Sequence, residues 1–121
     1  MAAFSISEKN LTLHDLFTMM RADTTLELSP VAAQKILRCR QYLDEKTSTS
    51  TQPVYGINTG FGSLYNRNIP SYQLEKLQEN LVKSHACGTG PTVPHEIVRL
   101  MLFLKVQSLA YGYSGVQLQT V

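Results

Sequence analysis

Residues 54–62 read V-Y-G-I-N-T-G-F-G, with three glycines, two aromatic residues and no charge. Glycine stands where a backbone needs positive φ or must pass close to something else. Gly56, Gly60 and Gly62 therefore mark a tightly shaped loop, with Tyr55 and Asn58 as its polar tips. On the residues alone this is a compact turn joining two helices, with Tyr55 as a half-buried packing residue. The spacing G-x3-G-x-G lacks the lysine of a phosphate loop and the following helix of a dinucleotide site, so no nucleotide is expected.

Outward from the loop the pattern is mainly helical. Residues 46–53, K-T-S-T-S-T-Q-P, are polar and read as loop. Before them Ser29-Pro30 supplies an N-cap and a proline at the first helical position, opening a helix over 30–45. Its apolar stripe is Ala33, Ile36, Leu37 and Leu43. Residues 24–28 and 4–6 read as short extended pieces. Thr12 and Asp15 resemble a capping box for a helix over 13–21, with Leu13, Leu16, Phe17 and Met20 on one face. Downstream, 67–70 is irregular, and Ser71 caps a helix to about residue 86. Leu74, Leu77, Leu81 and His85 share one side of it, at spacings of 3, 4 and 4. Cys87-Gly88 is its stop and Gly90-Pro91 a turn. Pro94 opens what the pattern predicts as the longest helix, running to about 111 and closed by Gly112. That helix is apolar nearly all round, which implies burial on several sides. Ser114-Gly115 reads as the cap of one more helix.

A chain of 121 residues allows one domain at most, with a modest core. Its 43% hydrophobic and 17% charged content is that of a soluble globular protein. A formal charge of +2, with lysine and arginine scattered, gives no argument for nucleic acid or an anionic membrane. Cys39 and Cys87 form no disulfide framework, and His14, His85 and His95 lack the spacing and carboxylate company of a metal site. The first residues have no basic n-region or apolar h-region. The greasiest run, 97–104, is interrupted by Arg99 and falls far short of the roughly 20 residues a bilayer span needs. A cytoplasmic location is expected. The chain stops six residues after the Ser114-Gly115 cap with many apolar faces uncovered, which reads as an N-terminal fragment.

The stretch 54–62, followed by N-L-V-K-S-H-A-C-G-T-G at 80–90 and R-L-M-L-F-L-K-V-Q-S-L-A-Y-G-Y-S-G at 99–115, resembles the aromatic amino acid ammonia-lyase family. The resemblance implies a mainly α fold, the helical N-terminal domain of the ammonia-lyase/fumarase-like superfamily. Residues 1–121 would end before the prosthetic-group loop and the central helical bundle. It implies elimination of ammonia from an aromatic amino acid by a homotetramer whose active sites draw on more than one subunit. The electrophile of that chemistry is methylidene-imidazolone, made from the enzyme's own Ala-Ser-Gly. No Ala-Ser-Gly occurs in these 121 residues, so the chain alone is expected to be inactive.

By the same resemblance Tyr55 is the base that takes the β-proton. A phenol whose ordinary pKa is near ~10 must have it lowered for that task. The alternative is a packed tyrosine with a hydrogen-bonded hydroxyl. His85 falls where the substrate side chain is contacted, and Ser84-His85 is like the histidine-specific members, which form urocanate. Tyrosine or phenylalanine lyases and aminomutases of the family remain open, as does a non-catalytic helical module. Without the resemblance His85 is a helix-end histidine near C-terminal carbonyls, where partial positive charge is welcome. Gly62 is expected to let the backbone approach the substrate, with Gly56 and Gly60 shaping the loop.

Overall fold

A computed structural model describes residues 2–21, 23–50 and 52–121, apart from the side chain of Ala2. The chain divides into two compact units, one of residues 1–49 with 92–121 and one of residues 50–91. The first unit starts as a strand–helix–strand crossover. Strand β1 (Ala2–Ile6) pairs in parallel with β2 (Thr24–Leu28), Ile6 opposite Leu28, and helix α1 (Leu13–Met20) connects them. Parallel neighbours need such a crossover because a tight hairpin cannot reverse the chain twice.

The start of α1 is the capping box expected from Thr12 and Asp15. Asp15 N–H donates to Thr12 Oγ1 at 3.2 Å, and Thr12 N–H donates to Asp15 Oδ2 at 2.7 Å. The hydrogen bonds from the Thr12 hydroxyl and amide hold the Asp15 carboxyl below its ordinary pKa. The expected apolar face of α1 is corrected. Leu13 and Phe17 are each 75% exposed, while Met19 is fully buried, with Leu16 and Met20 packed beside it. Five of the eight residues of α1 are apolar, so more than one stripe satisfies helical spacing. The crossover between β1 and β2 selects the stripe that faces inward.

Helix α2 (Pro30–Thr49) begins as expected, with Ala32 N–H donating to Ser29 Oγ at 3.2 Å. It runs four residues past the expected end, through Lys46–Thr49, which the polar composition marked as loop. The hydroxyls of Thr47 and Thr49 donate back to the carbonyls of Leu43 at 2.9 Å and Glu45 at 2.8 Å, one turn earlier, so these polar side chains are accommodated within the helix itself. Thr51 of that stretch lies outside the described residues. Ala32 and Ile36 are the buried residues of the helix, and Leu37 is exposed. Of the expected stripe Ile36 is buried and Ala33 and Leu43 are part-buried, so only Leu37 is corrected, with Ala32 on the inward side in addition.

Helix α4 (His95–Ala110) closes this unit, and at 16 residues it is shorter than the 20 of α2. Phe103 and Ala110 join Ile6, Met19 and Ala32 in the core, and Phe103 meets Phe4 edge-on with ring centroids 5.7 Å apart. The expectation of burial on several sides is not met in these residues: Met101 is 61% and Leu102 64% exposed. A cavity of about 390 Å³ is lined by Leu26 and Leu28 of the sheet and Leu102 and Val106 of α4. Arg99, which interrupts the apolar run, donates to the carbonyls of Met19 at 3.3 Å and Arg21 at 3.4 Å. It thus places a cation on the acceptor end of α1. Gln107, buried, donates to Ser7 O at 2.6 Å and Lys9 O at 3.2 Å. At Gly112 a Cβ would come within 2.7 Å of Lys35 Cβ, so glycine lets the chain leave α4 across α2. Ser114-Gly115 is followed by a 3-10 turn at Leu118–Thr120 and not by the α-helix it was read to cap. No helix among the described residues is long and apolar enough to cross a membrane.

The reassigned face of α1 has a direct test. Met19→Ala is expected to lower stability by about 2–4 kcal/mol, and Phe17→Ala by less than about 0.5 kcal/mol, both read from urea denaturation midpoints. Equal losses would restore the face read from spacing.

Candidate active site

The glycine loop lies in the unit of residues 50–91. The Val54 carbonyl accepts from Ile57 N–H at 3.0 Å and Asn58 N–H at 3.2 Å, which makes Tyr55 and Gly56 the centre of a turn. Gly56 has φ of +78°, the value a type II turn demands at its third residue, and glycine meets it without strain. Tyr55 precedes it and stands out of the turn, 65% exposed, so it is not the half-buried packing residue the loop alone suggests. Its ring meets Phe61 edge-on, with centroids 6.3 Å apart. Gly60 answers a different need: a Cβ there would lie 2.7 Å from both Leu64 Cβ and Leu64 O. Gly62 opens a 3-10 turn, Gly62–Leu64, closed by Tyr65 N–H on Gly62 O at 3.2 Å.

The two arms of the loop are stitched together. Thr59 and Asn68 form an antiparallel bridge, flanked by Gly60 N–H on Arg67 O at 3.0 Å and Ile69 N–H on Asn58 O at 2.8 Å. Inside, Asn58 is 8% and Thr59 1% exposed. Asn58 Oδ1 accepts from Val54 N–H at 2.6 Å and Asn58 Nδ2 donates to Gln52 O at 3.1 Å. Thr59 Oγ1 donates to Gly60 O at 3.0 Å and accepts from Gly56 N–H at 3.4 Å. Buried polar side chains are tolerated because each finds such partners.

Helix α3 (Leu74–His85) follows a 3-10 turn at Ser71–Gln73. Ser71 begins that turn without a side-chain cap, which corrects its expected role at the start of α3. Leu74, Leu77 and Leu81 are the part-buried positions, as the spacing predicts, and His85 is exposed at the last position of the helix. His85 Nδ1 lies 2.9 Å from Leu81 O, and a carbonyl can only accept, so Nδ1 carries the proton. In the neutral ring Nε2 is then a free acceptor. Ser84 Oγ, which donates to the same carbonyl at 2.9 Å, sits 2.9 Å from Nδ1 and steadies the ring.

Tyr55, Gly56, Gly60 and Gly62 thus share one loop, and His85 ends a helix of the same compact unit. No hydrogen bond joins Tyr55 to His85 among the described residues. Likewise no group of histidine, cysteine and carboxylate side chains among them could hold a metal ion. Asn58, expected as a polar tip of the loop, is instead turned inward to bond the backbone, and Thr59, which the sequence did not single out, is buried beside it. The signal lay in the reach of an asparagine side chain to nearby backbone groups, which is common in turns.

The model of the aromatic amino acid lyase family matches residues 11–121, so both the glycine loop and the His85 helix fall inside it. The chain belongs to that family. Histidine ammonia-lyase of Deinococcus radiodurans is 41% identical over 116 residues, covering 96% of this chain and 22% of its own length. The crystal structure of histidine ammonia-lyase from Trypanosoma cruzi superposes with a TM-score of 0.82 at 37% identity, over 99% of this chain and 23% of that one. Tyrosine aminomutase from Streptomyces globisporus shares the fold, with a TM-score of 0.88 at 24% identity over 98% of this chain and 22% of that one. The chain spans about a fifth of the length of the curated relatives it matches.

Gly60→Ala is expected to destabilise the loop by about 1–3 kcal/mol, because the added methyl meets backbone as well as side chain at Leu64. Amide hydrogen exchange at position 60 and at Ile69 should accelerate while α3 is unaffected. Unchanged exchange would mean that the close approach is not a constraint.

Proposed function

We propose that residues 1–121 are the N-terminal part of a lyase that eliminates ammonia from L-histidine to give urocanate. The observation that carries this reading is the exposed Tyr55, standing out of a turn whose buried polar side chains are already satisfied, in a chain of the lyase family. Its phenol is the group of the loop suited to meet a substrate.

In this reading Tyr55 takes the β-proton of the amino acid. The C–H pair becomes the new Cα–Cβ double bond as the C–N bond breaks and ammonia leaves. Methylidene-imidazolone, when bound, supplies the electron sink that makes the amine a leaving group. It arises from Ala-Ser-Gly, which does not occur in residues 1–121, so none of its atoms come from these residues. Residues 54–62 fit beside such an electrophile, since they hold no lysine, cysteine or carboxylate that would capture it. His85 Nε2, left as an acceptor by the bond at Nδ1, takes the N–H of a substrate imidazole and fixes its orientation. Gly62 keeps side-chain bulk away from the loop where the substrate enters.

The proposal extends to a cytoplasmic homotetramer. Support for association is the apolar surface of α4, with Met101 and Leu102 exposed, since wide apolar patches are normally covered. Free Cys39 and Cys87 suit a reducing compartment.

The test is urocanate absorbance on adding L-histidine to the protein extended through its Ala-Ser-Gly, with L-tyrosine and L-phenylalanine assayed in parallel. Tyr55→Phe is expected to lower kcat by about 10²–10⁴-fold, and His85→Leu to weaken the preference for histidine. Faster turnover of tyrosine would move the assignment to a tyrosine lyase or aminomutase. A reading frame that ends without Ala-Ser-Gly would leave a non-catalytic helical module.

A further inference from the structure

We infer that Asn58 is a positioning residue for Tyr55, transmitting the rigidity of the paired arms of the loop to the turn that carries the phenol. The inference rests on the lyase reading for its catalytic consequence, and on geometry for the rest. Val54, the residue before Tyr55, is held by Asn58 at both of its backbone polar groups. Its N–H donates to Asn58 Oδ1 at 2.6 Å, and its carbonyl accepts from Asn58 N–H at 3.2 Å. Asn58 Nδ2 fastens the preceding chain at Gln52 O, 3.1 Å away.

Asn58 is itself anchored. Its carbonyl accepts from Ile69 N–H at 2.8 Å, next to the Thr59–Asn68 bridge, and its side chain is buried. On the far side of Tyr55, Gly56 N–H points to Thr59 Oγ1 at 3.4 Å. Both neighbours of Tyr55 along the chain are therefore tied to the two buried residues 58 and 59. Tyr55 itself touches the loop through the Phe61 ring. An exposed side chain keeps a fixed origin only if its backbone is held, and here the side-chain amide of Asn58 holds the Val54 N–H and, through Gln52 O, the chain that leads into the turn. Displacing a reacting group by about 1 Å costs on the order of 10²-fold in rate. The amide is suited to the task because one end accepts and the other donates. Aspartate keeps the acceptor for Val54 N–H and loses the donor to Gln52 O, and alanine loses both.

The experiment uses the full-length lyase and two readouts. In Asn58→Ala, kcat is expected to fall roughly 10- to 100-fold with KM within about 3-fold, and the Val54 amide to exchange rapidly. Asn58→Asp should restore slow exchange at Val54 and recover most of kcat. In a Tyr55→Phe background Asn58→Ala should cost nothing further, because the residue it positions is gone. Losses that multiply in the double variant, or an Asn58→Ala enzyme with kcat within about 3-fold of wild type, overturn the inference. If Asn58→Ala does not fold, Asn58→Asp decides: rapid Val54 exchange with full kcat overturns it. A wild type inactive on every aromatic amino acid sinks the lyase reading instead. Val54 exchange then still judges the clamp, and protection unchanged in Asn58→Ala refutes it.

Discussion

The pairing of residues 58–60 with 67–69 is the constraint on which the unit of residues 50–91 depends. It closes a loop that has no apolar core of its own and places two polar side chains, Asn58 and Thr59, where a core would otherwise be. Their hydrogen bonds then substitute for packing. Polar groups buried with partners rigidify a segment, and without them they destabilise it. The three glycines serve this closure in two ways, Gly56 and Gly62 through positive φ and Gly60 through close approach to Leu64. The other unit is closed differently, by the parallel pairing of β1 with β2 and by Phe103 and Met19 packed into the same core.

Much of the fold was legible because local chemistry and tertiary structure agree. Thr12 with Asp15, Ser29 with Pro30, and the leucines at 74, 77 and 81 each state their element in a few residues. The failures have physical causes as well. An eight-residue helix rich in apolar side chains does not say which stripe turns inward, and Met19 took the place expected for Phe17. Residues 46–49 look like loop by composition, yet the hydroxyls of Thr47 and Thr49 bond back to carbonyls one turn earlier in the same helix. Arg99 looks like a flaw in an apolar run until the carbonyls of Met19 and Arg21 are placed beside it.

The loop was recognisable as shaped, and Tyr55 as its distinctive side chain, from the glycine spacing and the family resemblance. What could not be read was the interior of the loop. Whether Asn58 faces solvent or reaches back to Val54 depends on the partner arm ten residues later, which periodicity does not describe. The proton position on His85 likewise depends on its contact with Leu81 O, one helical turn back. Both are details of hydrogen bonding, and both bear on what the site can do. The proposed function asks the exposed phenol of Tyr55 and the imidazole of His85 to meet one aromatic amino acid.

The central claim is that Tyr55 and His85 meet one ligand. The most direct measurement is a titration of the full-length protein with urocanate, following the 13Cζ resonance of Tyr55 and the 15Nε2 resonance of His85 by NMR. The account expects both to shift along one saturation curve, and His85→Leu to weaken the shift at Tyr55. Movement of either resonance without the other, at saturating urocanate, would contradict it.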